Sequence, residues 1–229
     1  MKKSLGLTLL AVCAGSTMAR AELVFEPGNQ GNDGFWGDTV GAVRGCVLTL
    51  GGTDRYLTNI SCNVWNYSGS TQIDTFTASL YAVPAGLNAS SPPLSSPFWS
   101  GSTQQTFGTG EASVDFTLGS GSRWLPGSVV LTIVETASSG NGECQPMFWT
   151  AGNPGSNVPL NPPQIGGIGS DFTYLSWGPP YWFSYRTYPS VQGVLYYDAT
   201  ISATTPEPFT MALCAGGLGL AFVRRRRRA

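Results

Sequence analysis

The chain contains no histidine, and its two lysines, Lys2 and Lys3, lie at the extreme N-terminus. Without imidazole groups, Ser-His-Asp catalysis, Cys-His catalysis and histidine-ligated metal sites are all excluded. Charged residues make up only 11% of the chain, and no basic cluster occurs between Lys3 and the last six residues. Because nucleic-acid binding depends on clustered Lys and Arg side chains, the composition also indicates that nucleic acid is not a partner.

The basic residues that are present are concentrated at the two ends of the chain. Three of them lie within residues 1–21, and five form the run from Arg224 to Arg228. Residues 22–205 keep only four arginines against twelve carboxylates, which gives this segment a formal charge of −8. A segment of about 180 residues is long enough for one domain with its own hydrophobic core. The near-neutral chain therefore contains one acidic domain, which we predict over residues 22–203.

The first 21 residues have the composition of a secretory signal peptide. Met1-Lys2-Lys3 is a basic start, residues 5–14 form an apolar core, and Ala19-Arg20-Ala21 fits the small-x-small cleavage pattern. We therefore predict a signal peptide over residues 1–21 and a mature chain that begins at Glu22.

Residues 204–229 combine a proline-flanked acid, an apolar run and a basic end. Pro206 and Pro208 flank Glu207, and both prolines disfavour a helix before residue 209. Residues 209–223 carry no charge and would span about 22 Å as a helix, to which arginine stems can add reach. Clustered arginine beside an apolar span marks the cytoplasmic side of a membrane. We predict a membrane-spanning helix over 209–223, stopped by Arg224, Arg225, Arg226, Arg227 and Arg228.

This order of Pro-Glu-Pro, a short Gly/Ala/Leu-rich span and terminal arginines resembles the PEP-CTERM sorting signal. The motif is also labelled an ice-binding protein C-terminal domain, a label that describes the tail alone. The resemblance implies that an exosortase, a membrane-embedded processing enzyme, recognises Pro206, Glu207 and Pro208 and removes the tail. It also implies sorting to the envelope or extracellular matrix of a Gram-negative bacterium, often one that makes exopolysaccharide. A plain membrane anchor is the alternative, and it leaves the Pro-Glu-Pro unexplained.

Between the two signals the sequence consists of short β-segments separated by Gly, Pro, Ser and Asn. Alternation of apolar and polar residues is clearest in two of them, where residues 76, 78, 80 and 82, and residues 112, 114, 116 and 118, form apolar faces. We predict long loops over 84–103 and 151–170, and an all-β fold, an antiparallel β-sandwich of jelly-roll-like form with a C-terminal hydrophobic helix. The predicted strands are 42–50, 56–66, 73–83, 112–118, 128–136, 145–150, 172–177 and 191–201.

Three cysteines belong to the mature chain and would meet an oxidising compartment after export. Cys46 and Cys62 share the faces of apolar neighbours on two successive predicted strands, so we predict a disulfide between them. Cys144 is the competing partner. The alternative is that all three are small buried hydrophobic residues without a bridge.

Eight aromatic residues are crowded into residues 172–188, around Gly178-Pro179-Pro180. Flat rings with polar tips suit stacking on sugar faces, and such a row predicts a glycan-binding surface formed by Tyr174, Trp177, Tyr181 and Tyr185. The alternative is that about half of these rings fill the core, because side chains alternate across a strand.

Oxygen-bearing side chains near the mature N-terminus suggest calcium as the one candidate cofactor. Their spacing does not match an EF-hand loop, and a solvated turn is the preferred interpretation. No metal ligands are otherwise predicted. The residues concerned are Glu26, Asn29, Asn32, Asp33 and Asp38.

The function predicted from the sequence is that of an exported, non-enzymatic protein of the cell envelope or extracellular matrix. Its expected partners are an exosortase-type enzyme, the membrane through the C-terminal helix, and exopolysaccharide. A carbohydrate-binding module is the alternative, and a polysaccharide-active enzyme is the third candidate. The third would need two carboxylates across a cleft, yet the available ones follow no motif: Glu111, Asp115, Glu135 and Glu143.

Overall fold

A computed structural model describes ten stretches of the chain, all of them between residues 21 and 205. They are residues 21–28, 34–35, 40–41, 43–83, 96–117, 119–140, 144–150, 163–174, 182–186 and 195–205. The predicted helix 209–223, the sorting motif and the arginine cluster lie outside these residues, as does nearly all of the predicted signal peptide. Contacts group residues 21–203 into one compact unit.

All regular structure in the described residues is β-strand. The strands are β1 Glu22–Phe25, β2 Gly34–Phe35, β3 Val43–Thr49, β4 Tyr56–Asn66, β5 Gln72–Ala82, β6 Trp99–Phe107, β7 Gly110–Asp115, β8 Gly119–Gly121, β9 Ser128–Ser138, β10 Cys144–Thr150, β11 Gly167–Tyr174, β12 Trp182–Arg186, β13 Leu195–Tyr197 and β14 Ala199–Thr204.

The strands form two antiparallel sheets that pack face to face as a β-sandwich. The first sheet has the order β1-β14-β4-β10-β13, with β2 paired to β10 and β7 paired to β4. The second has the order β12-β11-β3-β9-β5-β6-β8. The predicted antiparallel β-sandwich is thereby confirmed.

The period-two pattern of β5 explains how this strand is oriented in the sandwich. Phe76, Ala78 and Leu80 are buried on the inward face, as predicted, while the next position, Ala82, is exposed at the strand end. The same rule buries Val114 of β7 and Phe116 just after it, and leaves Asp115 between them exposed. Alternation, rather than hydrophobicity alone, decides burial here, because the apolar Ile73 points outward and is 49% exposed.

Three segments that were predicted to lie between strands contain strand residues. The predicted loop 151–170 ends before residue 167, because Gly167–Tyr174 forms β11. Residues 84–103 were predicted as a loop, but β6 begins at Trp99 and pairs with β5 along its whole length. Residues 119–122 were left outside the predicted strands, but Gly119–Gly121 forms β8 at the edge of β6. The indole of Trp99 fills the space where a Cβ at Gly119 would lie, so the close approach of β8 requires glycine at this position.

A buried tyrosine connects the two sheets. Tyr197 of β13 lies in the first sheet, and its hydroxyl donates to the carbonyl oxygen of Arg44 in the second sheet at 2.8 Å. The same oxygen accepts a hydrogen bond from the backbone N–H of Ile133 at 3.0 Å. Burial raises the pKa of Tyr197 well above its usual value, so the hydroxyl stays protonated. These contacts fix how the facing strands are aligned.

Candidate functional site

The predicted glycan-binding row falls only partly within the described residues. Tyr174 is the last residue of β11 and pairs with Trp182 of β12 on one side and with Val43 of β3 on the other. Tyr185 lies on β12, where the register shifts between the pairs Asp171↔Arg186 and Phe172↔Ser184. The backbone therefore brings Tyr174 and Tyr185 onto adjacent strands at one edge of the second sheet. Trp177 and Tyr181 lie outside the described residues.

The predicted Cys46–Cys62 bridge is not formed in the structure, where Cys46, Cys62 and Cys144 are buried and none of them is in a disulfide. Cys46 and Cys62 do face the core as predicted, but β3 and β4 belong to opposite sheets. Burial, followed by the charges of Asp198 and Cys46, raises the pKa of Cys62 well above its usual value. A neutral, buried thiol is a poor nucleophile. The described cysteines thus behave as small core side chains.

A carboxyl pair lies inside the sandwich, at the end where polar side chains enter the core. Asp74 occupies an inward position of β5, and Glu135 of β9 lies directly opposite Phe76, two residues further along β5. Asp74 is 0% exposed and Glu135 is 3% exposed. The sequence contained the signal for Asp74, because alternation places residue 74 on the same face as residues 76, 78 and 80.

The pair is only partly satisfied by hydrogen bonds. The Gln145 amide donates to Oε2 of Glu135 at 3.0 Å, but both Asp74 oxygens and Oε1 of Glu135 have no hydrogen-bond partner among the described residues. Burial, and secondly the nearby charge of Asp74, raises the pKa of Glu135 to about 8. Burial and the charges of these two carboxylates also raise the pKa of Cys144. Glu135 is therefore mainly protonated at neutral pH.

Glu135 has a raised pKa of the kind found in active sites, but the carboxyl pair lacks the access that an active site needs. Residues with shifted pKa values are functional candidates when they line a cleft, and structural groups can show the same shifts. Both carboxyl groups are enclosed by the core, where Phe76 and Phe107 pack edge-to-face with ring centroids 5.6 Å apart. A polysaccharide cannot reach the pair in this conformation. We therefore assign it a structural role.

Two neutral amides next to the carboxyl pair are, by contrast, well satisfied. Asn66 donates to the carbonyl oxygens of Ser70 and Gly108 at 2.8 and 3.0 Å, and its own oxygen accepts from the Ser68 hydroxyl at 2.7 Å. Gln72 donates to the Ser70 hydroxyl at 2.9 Å. These contacts close the turn between β4 and β5. They show that the polar end of the core is built from specific hydrogen bonds.

An aromatic pair that the sequence analysis did not select lies on the outside of the domain. Tyr56, the first residue of β4, forms an isolated antiparallel bridge with Trp124, which precedes β9. The backbone hydrogen bonds Leu57 N–H to Arg123 O (2.8 Å) and Leu125 N–H to Arg55 O (2.7 Å) flank this bridge. Residues opposite each other in this arrangement form a non-hydrogen-bonded pair, with Cα atoms about 4.5 Å apart and neighbouring side chains on one face.

Both rings of this pair face solvent. Tyr56 is 42% exposed and Trp124 is 58% exposed, while their neighbours Leu57 and Leu125 are buried. The sequence signal was the alternation Arg123-Trp124-Leu125 before the Pro126-Gly127 turn, which places Trp124 opposite to the core-facing leucine. Sequence reasoning missed the pair because the two residues are 68 positions apart and only the pairing brings them together.

The remaining predicted acids do not form a site in the described residues. Glu111 and Asp115 are exposed on β7, and Asp115 accepts a hydrogen bond from the Asn59 amide at 3.2 Å. Glu26 pairs through its backbone with Ile165. The other residues of the calcium hypothesis (Asn29, Asn32, Asp33 and Asp38), together with Glu143, lie outside the described stretches. Within those stretches, no group of three His, Cys, Asp or Glu residues is placed to hold a metal ion.

Comparison with known proteins adds no family to these observations. No family model, no curated protein and no solved structure matches this chain. In the described part of the chain, no helix is long and apolar enough to cross a membrane.

Proposed function

We propose that this is an exported protein of the cell envelope or extracellular matrix, sorted through its C-terminal tail and without enzymatic activity. The observation that carries the proposal is the order of the tail: Pro206-Glu207-Pro208, an uncharged run over 209–223, and Arg224 to Arg228. A membrane helix with arginines on the cytoplasmic side holds the domain outside until an exosortase-type enzyme acts on the motif. The N-terminal signal supports the same route.

The proposed architecture is a jelly-roll-like sandwich followed by the C-terminal hydrophobic helix. The sandwich itself is observed, and its chain crosses repeatedly between the two sheets, for example from β3 to β4 and from β4 to β5. The buried carboxyl pair Asp74–Glu135 supports a non-enzymatic role, because Glu135, the described carboxylate with a raised pKa, is closed to substrate. The domain would then serve as the part that is displayed after sorting.

The sorting proposal is tested by sequencing the C-terminus of the protein recovered from fractionated cells. We expect the unmodified protein to lose its arginine tail and to appear in the envelope or extracellular fraction. The double variant Pro206→Ala plus Glu207→Ala should keep the tail and stay with the inner membrane. Substitution of Pro162 and Pro163 by alanine is the matched control, since these prolines lie outside the motif. An intact tail on the unmodified protein would contradict sorting and leave a simple anchor.

Carbohydrate binding is the second candidate function, and the solvent-facing Tyr56–Trp124 pair favours it. Exposed aromatic rings on a sandwich are suited to stacking on sugars, and an exposed apolar patch signals a binding surface. The row Tyr174, Trp177, Tyr181 and Tyr185 remains a separate hypothesis for the same ligand. Alanine at all four positions should reduce retention on polysaccharide gels, and unchanged retention would reject that row. A polysaccharide-active enzyme remains the third candidate, which a reducing-end assay on mixed polysaccharides would detect.

A further inference from the structure

We propose that the end of the sandwich that carries the exposed Tyr56–Trp124 pair is seated on the lipid surface of the membrane while the C-terminal tail is retained. The inference rests on the proposed function, because it uses the membrane helix predicted for the tail. It adds which face of the domain contacts the membrane. This membrane-proximal end consists of the start of β1, the end of β14, the β3–β4 turn and the segment that precedes β9.

The two termini of the domain leave from this end. β1 and β14 are antiparallel neighbours, and Glu22, the first residue of the predicted mature chain, pairs with Ala203 near the end of β14. The predicted signal peptide ends at Ala21, and the sorting motif begins at Pro206. Since neighbouring strands lie about 4.8 Å apart, the two segments that are predicted to enter the membrane are attached to the domain at adjacent points.

The Tyr56–Trp124 pair lies at the same end as these attachment points. β14 is the neighbour of β4 in the first sheet, and the backbone N–H of Asn63 in β4 donates to the carbonyl oxygen of Asp198, just before β14, at 2.9 Å. Because the strands of this sheet are antiparallel, β14 runs from Asn63 towards the start of β4, where Tyr56 lies. The end of β14 and the aromatic pair are therefore close neighbours.

The chain that follows β14 is too short to hold this end far from the membrane. The predicted helix begins at residue 209, and the chain from Ala203 to residue 209 can extend to about 20 Å at most. The headgroup layer on one side of the bilayer already takes up about 5–8 Å of that length. The strand β4 is about 35 Å long, so the opposite end of the sandwich is under no such restriction.

The exposed side chains at this end suit the interface between membrane and water. Besides Tyr56 and Trp124, the apolar side chains of Leu23 and Val83 are exposed here. Leu23 pairs with Ser202 of β14, and Val83 follows β5, whose end pairs with the start of β9. Tyrosine and tryptophan are enriched at membrane interfaces, because the ring enters the apolar layer while its polar tip stays hydrated.

Charge does not select the partner of this end. Two arginines, Arg55 and Arg123, are next in sequence to the two rings. Two carboxylates, Glu22 and Asp54, match them in number, and the Glu22 carboxylate lies where a Cβ at Gly52 would meet it. Attachment therefore depends on apolar area, and zwitterionic lipid should suffice. Removal of the tail releases these rings to solvent, so the carbohydrate-binding candidate concerns the processed protein.

The test is fluorescence quenching of the full-length protein, purified with its tail and reconstituted into phosphatidylcholine vesicles with brominated acyl chains. We expect the protein to float with the vesicles and bromine to quench part of its tryptophan emission. Trp124→Phe should lower this quenching about twofold, because its ring lies at the interface. Trp65→Phe is the matched control, since Trp65 lies near the other end of β4, and it should leave the quenching unchanged.

A second pair of variants tests the contact without removing a fluorophore. Tyr56→Asp places a carboxylate beside Trp124 and should lower the bromine quenching about twofold while flotation is kept, because a charged group resists entry into the apolar layer. Tyr67→Asp changes an exposed tyrosine that follows the opposite end of β4 and should have no effect. The melting temperature of each variant should stay within about 2 °C, because these side chains lie outside the core.

The possible outcomes separate this inference from the sorting proposal. Flotation with equal bromine quenching of the unmodified protein and Trp124→Phe would overturn the inference and leave the membrane helix intact. Failure to float would reject the predicted helix and the inference with it. If mixed polysaccharides shielded Trp124 of the vesicle-bound protein from acrylamide while bromine did not quench it, the inference would be overturned in favour of a glycan site.

Discussion

The Asp74–Glu135 carboxyl pair and the Tyr56–Trp124 aromatic pair lie in the same sandwich but differ in their access to solvent. The carboxyl pair has three oxygens without a hydrogen-bond partner in the described residues, and the pKa of Glu135 is raised to about 8. Its two residues are nevertheless almost completely buried. The aromatic pair has no reactive group, yet more than two fifths of each residue is exposed.

The difference shows that a group with a shifted pKa is not necessarily accessible to a ligand, and that an accessible group need not have a shifted pKa. A carboxyl pair in the core affects the stability of the fold and its dependence on pH, because ionisation there must be balanced against desolvation. An exposed ring pair contributes little to stability and is accessible to a ligand. For this domain, the contrast supports the proposal of a carbohydrate-binding role over the candidate role of a polysaccharide-active enzyme.

The largest expected effect tests whether the carboxyl pair is truly enclosed. Phe76 lies directly opposite Glu135 and packs against Phe107, so Phe76→Ala should lower the free energy of unfolding by about 3–5 kcal/mol. Ile73→Ala is the control, since Ile73 is on the same strand with its side chain outward. Urea unfolding measures both variants. A cost below about 1 kcal/mol for Phe76→Ala would mean that the core is loose here and that the carboxyl pair is reachable.

A smaller effect is expected in the dependence of stability on pH. The pKa of Glu135 is raised from 4.5 to about 8 by burial and by Asp74, so the folded state binds this proton more tightly than the unfolded state. The stabilising contribution is present in full below pH 4.5 and is lost as the pH rises through about 8. We expect a loss of about 2 kcal/mol, less than 1.36 kcal/mol per pH unit between the two pKa values would give, because the core relaxes around an ionised carboxyl group.

The variant that isolates this contribution is Glu135→Gln, which keeps the shape of the side chain and cannot ionise. Urea unfolding between pH 4.5 and 9 should show a flatter profile for Glu135→Gln than for the unmodified protein. Glu111→Gln, at an exposed position of β7, should keep the unmodified profile. Parallel profiles for the unmodified protein and Glu135→Gln would show that Glu135 titrates in the folded protein as it does in the unfolded chain.

The strands were predictable where one face is apolar and the other polar. The predicted strand 56–66 coincides with β4, and 42–50, 73–83 and 128–136 differ from β3, β5 and β9 by one or two residues at either end. β6 was missed because its centre, Ser100 to Thr106, has no large apolar residue, and its place is decided by pairing with β5. Tertiary context overrides weak strand propensity in such segments.

The candidate sites were less predictable than the strands because each depends on residues that are distant in sequence. Alternation assigns Asp74 to the inward face, but only the pairing of β5 with β9 places Glu135 beside it. In the same way, Trp124 becomes part of an exposed aromatic pair only through its bridge to Tyr56. Sequence reasoning selected the dense aromatic segment 172–188 because a sequence reveals only clusters of residues that are close in the chain. The sequence alone does not identify a pair of distant residues that strand pairing brings together.

The contrast between the two pairs can be tested in one affinity gel of mixed polysaccharides that compares the unmodified protein, Glu135→Gln and Trp124→Ala. If the domain binds polysaccharide through its exposed rings, Glu135→Gln should be retarded as strongly as the unmodified protein, while Trp124→Ala should migrate nearly as it does without polysaccharide. The opposite pattern, with binding lost in Glu135→Gln and kept in Trp124→Ala, would contradict the account and place the functional site at the buried carboxyl pair.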